Sequence, residues 1–251
     1  MQPLANTPSR TEQVYHAIRD NICDLTLEPG THLVQEDLAA TLGVSRQPVQ
    51  QAMQLLRNDG LVVESGGRGL IVAPIDPNGI EHHYQIRLAL DQLAAGLVAD
   101  RARTESQFKA RLRRNGDAIL ARGAKALQGG SAAKAVMHDV AFHSFIYEMS
   151  GNPLIAPTAE AHWLFLRRVM IGVLLHAERG TLVWSEHDEI LNALVAGDAE
   201  GGVDLATRHV VGAKQALMDA MDKGGADHLF SLKTEPEPKT GPSDKRRQAR
   251  R

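Results

Sequence analysis

The chain has 251 residues, 43% of them hydrophobic and 23% charged, with a net charge of −2. That length suffices for one large domain or two modest ones with a buried core. A single cysteine, Cys23, excludes a disulfide framework and any multi-cysteine metal site, and aromatic residues at 4% argue against a stacking platform for single-stranded bases.

No apolar run reaches the ~20 residues of a membrane span, and the opening MQPLANTPSR lacks the apolar stretch of a signal peptide. With one cysteine, these features predict a cytoplasmic protein with no membrane partner. Helical periodicity begins at once. Ser9-Arg-Thr-Glu12 has capping-box spacing ahead of an apolar stripe at Val14, Ile18, Ile22 and Leu25. Glu28-Pro-Gly30 ends that helix. A short helix is predicted from about Gln35 to Leu42, and a third from near Ser45, with Val49, Ala52, Met53 and Leu56 on one face until Asn58-Asp-Gly60. Leu61–Ser65 and Leu70–Ala73 flank Gly66-Gly-Arg-Gly69, the pattern of a β-hairpin.

Pro74–Gly79 reads as a linker. Beyond it, helical segments are predicted near 80–101, 104–128, 132–149, 153–176, 181–196 and 199–223, with a further capping box at Thr104-x-x-Gln107. From Lys233 onward seven basic and three acidic residues sit among proline and glycine, which predicts a disordered basic tail. The expected fold is mainly α. A winged helix-turn-helix occupies residues 1–75, a linker 76–80, an all-α helical bundle 81–230 and the tail 231–251.

The head carries the more restrictive pattern. Ala39 is small where two helices must approach, Gly43 sits in the turn where φ is positive, and Val49 packs the second helix on the first. Ser45 is placed to cap that second helix, and Pro48 is tolerated in its first turn. The N-terminal part of such a helix enters the major groove, which makes Ser45, Arg46, Gln47 and Gln50 the candidate DNA-reading residues. Arginine suits guanine and glutamine suits adenine. Arg68, at the hairpin tip, is a candidate phosphate or minor-groove contact. Residues 1–75 hold five basic and eight acidic residues, so a lone head is expected to bind DNA modestly, and either a homodimer or the local placement of Arg10, Arg46, Arg57 and Arg68 would compensate.

The bundle carries a second constellation. Asp139 and His143 are four apart and share a helix face. His187 starts a stripe with Ile190, Leu191 and Leu194, and His209 lies beside Val203, Ala206, Val210 and Ala213. Polar groups on core-facing surfaces are costly unless partnered. A divalent ion would partner three imidazoles and a carboxylate, with Zn²⁺, Ni²⁺, Co²⁺ and Mn²⁺ all open, whereas a lone core histidine is simply hydrogen-bonded. Trp163 and Trp184 read as core, and His162 and His176 as residues that could line a pocket.

Leu33–Leu61, LVQEDLAATLGVSRQPVQQAMQLLRNDGL, resembles the winged-helix head of GntR-family transcriptional regulators. That family usually has Arg and Glu where this chain has Gln50 and Gln51. Tyr84-Gln-Ile-Arg87 with Leu90-Asp91, Asp139-Val-Ala-Phe-His143 with Ser150-Gly-Asn-Pro153, and Glu186-His187 followed by Gly197-Asp198 and His209 resemble the FCD effector domain of the family's FadR-type branch. The resemblance implies a repressor or activator, a metal site of Asp139, His143, His187 and His209, a small organic acid beside the metal, and Arg87 facing its carboxylate. It also implies a homodimer and no enzymatic activity. Two alternatives stand: a metal-free regulator of the same family binding a larger effector such as an acyl-CoA, and a metal-dependent hydrolase, since an open Asp-His₃ site can activate water.

Overall fold

The computed structural model describes residues 8–67, 69–174 and 180–223. The chain opens with α1 (Arg10–Cys23), started by the Ser9/Glu12 capping box, in which the Ser9 hydroxyl accepts from the Glu12 N–H and the Glu12 carboxylate accepts from the Ser9 N–H. A two-residue strand β1 (His32–Leu33) follows, then α2 (Gln35–Leu42), α3 (Arg46–Asn58), β2 (Val62–Glu64) and β3 (Leu70–Val72). The strands form an antiparallel sheet in the order β1-β3-β2, with Val62 opposite Val72 and His32 opposite Ile71. β1 escapes the sequence pattern because two residues show no period. The sequence also places a side-chain cap at Ser45. Ser45 is indeed the N-cap of α3, but its hydroxyl makes no capping hydrogen bond.

Gly43 turns the chain between α2 and α3 at φ 64°, a left-handed conformation that lets the Val44 N–H reach the Ala39 carbonyl at 3.0 Å. α3 then buries Val49, Ala52, Met53 and Leu56 against Val14, Ile18 and Ile22 of α1. Burial of each larger side chain is worth roughly 1.5–3 kcal/mol.

α4 (Pro77–Thr104) begins at Pro77, three residues earlier than its apolar pattern suggests, because Asp76 caps it and proline is preorganised for a first turn. It also ends later. The predicted Thr104 capping box is absent: Thr104 belongs to α4, and its hydroxyl bonds back to the Asp100 and Arg101 carbonyls. Glu105 separates α4 from α5 (Ser106–Gln128). The bundle continues with α6 (Ala132–Met149), α7 (Ile155–Leu174), α8 (Gly180–Ala196) and α9 (Ala199–Asp222). α4 packs against all five other helices of the bundle. α5 and α8 approach closely, and a Cβ at Gly123 would sit 1.9 Å from the Trp184 ring.

Head and bundle share a packed joint. Leu164 of α7 is buried in the head's core, and the Cys23 thiol points at its carbonyl at 3.8 Å. Arg167 lies 3.7 Å from Asp20, and the buried Arg168 guanidinium donates to the Ala73 carbonyl just before α4. The predicted tail 231–251, Arg68 and His176 lie outside the described residues.

Candidate functional site

Asp139, His143, His187 and His209 come together in the bundle core. They are at most 4% exposed, and one donor atom from each lies within 4.8 Å of the others. α6 supplies Asp139 and His143 from one face, α8 supplies His187 and α9 supplies His209. His187 Nε2 is 3.3 Å from His209 Nε2 and 3.4 Å from an Asp139 oxygen. Phe142 stacks on the His187 ring at 4.4 Å and holds its plane.

Two carboxylates outside the group lie against the imidazoles, and Glu186 hydrogen-bonds its ring. Glu186 Oε2 is 2.8 Å from His209 Nδ1, and Asp91 Oδ2 is 3.3 Å from His143 Nδ1. A carboxylate at Nδ1 favours the tautomer with a proton there, which leaves the Nε2 lone pair facing inward. Asp91 is in turn held by the Tyr147 hydroxyl, which donates to its other oxygen. Burial pushes the Asp91 carboxyl up, but His143, Arg87 and Tyr147 outweigh it and hold it at about 2. Burial, reinforced by the neighbouring histidines and Arg87, pushes His187 well below the usual histidine range. Burial also lowers His209, against the pull of Glu186. Neutral imidazole is the form that binds a metal.

The donor chemistry fits a divalent ion. An Asp139 oxygen is buried without a hydrogen-bond partner among the described residues. An orphaned buried carboxylate oxygen on a nitrogen–oxygen donor set is what a bound cation would relieve.

Arg87, one turn before Asp91 on α4, completes the group. It is 2% exposed, lies over the Trp163 ring at 4.7 Å, and is 3.6 Å from Asp91. One of its nitrogens donates to His143 Nε2 at 2.7 Å and lies 3.4 Å from His209 Nε2, so Arg87 and a metal would compete for the same lone pairs. Its other two nitrogens have no hydrogen-bond acceptor. Trp163, expected as core, is buried and also walls this site, 5.5 Å from the His143 ring. In the sequence, Glu186 stands out only as part of a motif. Adjacent helical residues diverge by about 100°, so nothing local shows that Glu186 serves His209 rather than its neighbour His187.

In the head, Ser45, Arg46, Gln47 and Gln50 are all exposed on the first half of α3, and Gln54 continues that face. Arg46 is ion-paired to Glu36 of α2, and Arg57 to Glu64 of β2 at 2.8 Å. Gln51 is engaged otherwise, accepting from the Thr11 hydroxyl at 2.6 Å. No helix among the described residues is long and apolar enough to cross a membrane.

Residues 82–212 match the FCD domain, and residues 10–72 match the model of bacterial regulatory proteins of the gntR family. The HTH-type transcriptional regulator YdhC of Bacillus subtilis (strain 168) is 36% identical over 93 residues, 37% of this chain, and the match spans only 42% of YdhC's own length. An HTH-type transcriptional regulator in an unstable DNA locus of Streptomyces ambofaciens is 29% identical over 198 residues, 78% of this chain and 80% of its own. Among solved structures, a GntR transcriptional regulator from Rhodococcus sp. RHA1 superposes with a TM-score of 0.70 at 25% identity, covering 85% of this chain and 99% of that one.

Proposed function

Because this chain belongs to the GntR family of bacterial regulatory proteins and carries its FCD domain, a DNA-binding transcriptional regulator and not an enzyme, we propose that a small carboxylate bound beside a divalent metal controls its operator affinity. Asp139, His143, His187 and His209 hold the metal. The ion neutralises the buried carboxylate and presents a Lewis-acidic position to an anionic ligand. Arg87 supplies the second anchor.

One observation carries this reading. The Arg87 guanidinium is buried with two nitrogens lacking an acceptor, beside a cluster of four metal-type donors. A buried guanidinium N–H without an acceptor is costly, and a carboxylate would supply one by a charge-assisted hydrogen bond. Ser45, Arg46, Gln47 and Gln50 read the operator, and Arg68 contacts a phosphate or the minor groove. The DNA-binding unit is residues 1–75 and an effector and dimerisation unit spans residues 81–230; residues 77–80, expected as part of a linker, form the first turn of α4. Two chains place two heads on two half-sites, and the ligand biases their relative placement.

The test is fluorescence anisotropy of the metal-loaded chain on DNA from immediately upstream of its own gene, against a scrambled duplex. A panel of small mono- and dicarboxylates is then added. We expect sequence-dependent binding that one carboxylate shifts at least tenfold, and loss of that shift in Arg87→Ala with metal content unchanged. Equal response of Arg87→Ala and wild type, or the same response after the metal is stripped, would refute the proposal.

A further inference from the structure

A second histidine group lies outside this site. His83 on the first turns of α4 and His162 on α7 point Nδ1 at Nδ1 across 3.1 Å. Both are half-buried. The His83 ring lies flat on Phe165 at 4.0 Å and 7°, and meets His162 edge-on at 5.2 Å. The glycine one turn earlier makes that stack possible, since a Cβ at Gly79 would press on the Phe165 ring at 3.3 Å. The His83 ring is therefore held in place by packing.

Neither imidazole has a carboxylate or carbonyl partner among the described residues. The nearest acid on α4, Glu81, is bound by Lys214 at 2.9 Å. Burial, reinforced by His162 and His82, pushes His83 down to about 4, and burial lowers His162. Both rings are neutral near pH 7. At most one of the facing nitrogens carries a proton, and losing it leaves two lone pairs at one place.

We propose that His83 and His162 form a second metal site, a two-imidazole chelate for a borderline divalent ion such as Ni²⁺, Cu²⁺ or Zn²⁺, separate from the Asp139 cluster. The spacing is that of adjacent ligands on one ion. With metal–nitrogen bonds of about 2.0–2.1 Å, a 3.1 Å separation corresponds to an angle of about 100° at the metal. The imidazole pair in the main cluster, His187 and His209, is spaced similarly at 3.3 Å. Imidazole donors favour these ions over Mg²⁺ or Ca²⁺, and water fills the remaining positions. With two protein ligands, this site is the weaker of the two.

Its position gives it a consequence. α4 starts four residues after Ala73, whose carbonyl is held by Arg168 of α7, and Leu164 of α7 is embedded in the head. An ion shared by His83 and His162 pins these two helices beside the joint between head and bundle. The inference does not depend on the carboxylate reading.

The experiment is titration of the full, metal-stripped chain with Ni²⁺ by calorimetry, repeated for His83→Leu, His162→Leu and His187→Ala. We expect two equivalents per wild-type chain, one tight and one weaker. His83→Leu and His162→Leu each lose the weaker equivalent and keep the tight one, while His187→Ala weakens the tight one and keeps the other. His83→Gln and His162→Gln, which keep a polar side chain, guard against misfolding and should lose it too. Electron paramagnetic resonance of Cu²⁺ added as the second equivalent should show coupling to two nitrogens. A wild-type chain that saturates at one equivalent, or a weaker equivalent that survives in both leucine variants, would overturn the proposal. Loss of the tight equivalent alone bears only on the Asp139 cluster.

Discussion

Glu186 makes the sharpest claim about how the main cluster works. Its carboxylate sits 2.8 Å from His209 Nδ1, the nitrogen opposite the one that faces the ion. Replacing it with alanine removes a charge-assisted hydrogen bond, lets the ring turn, and lowers the basicity of the opposite nitrogen. Loss of such an outer partner typically weakens a metal by about 10–100-fold, or about 1.4–2.7 kcal/mol. The Glu186 side chain is 23% exposed, so water partly replaces it, and the expected loss is at the lower end, about tenfold. Glu186→Gln keeps an acceptor without the charge and should fall between alanine and wild type. His209→Ala removes a ligand and should cost far more than either. Competition for Zn²⁺ against a chromophoric chelator reads all three, with far-ultraviolet circular dichroism as the control for folding. An affinity for Glu186→Ala within twofold of wild type, alongside a large loss in His209→Ala, would refute the orienting role.

Other consequences can be measured independently. Arg46→Ala should weaken operator binding and lower the salt slope by about one, as for any lost phosphate or base-edge cation. Glu36→Gln, which frees Arg46 from its ion pair, should instead strengthen binding; unchanged affinity in both variants would remove Arg46 from the interface. Gly43→Ala forces a side chain into φ 64° with nothing within 4 Å of the new Cβ, so backbone strain alone should destabilise the chain by about 1–2 kcal/mol in urea melts. For the metal-free chain, mild acid should lower stability. His83 at about 4 and the strongly lowered His187 bind a proton more readily unfolded, near 6.5, than folded. Stability is therefore full above about pH 6.5 and falls as pH drops toward 4, where Asp91, held at about 2, is still ionised. A urea midpoint at pH 5 equal to or above that at pH 7.5 would contradict the assignment.

Local chemistry makes much of this protein legible in its sequence. The Ser9 capping box, the glycine at position 43 and the apolar stripe of α3 act over three to seven residues, and each appears where its spacing places it. Asp139 and His143 share a helix face because helical geometry requires it. Their convergence with His187 and His209 was suggested by polar groups on apolar stripes and by resemblance, and the packing of α6, α8 and α9 brings it about. The errors also have local causes. Thr104 resembles a cap, yet its hydroxyl is equally able to bond backward into the helix that precedes it, and the choice is made by where α4 packs.

What only the tertiary structure decided is pairing between elements. That Glu186 turns to His209, that Arg87 meets His143 rather than solvent, that His83 finds His162 across 79 residues of chain, and that Leu164 enters the head's core all depend on helix crossings. Periodicity says which face of a helix is buried, because burial of apolar area is nondirectional. It does not say against which neighbour, because the specificity of a hydrogen bond or an ion site exists only once two separate faces have been packed together.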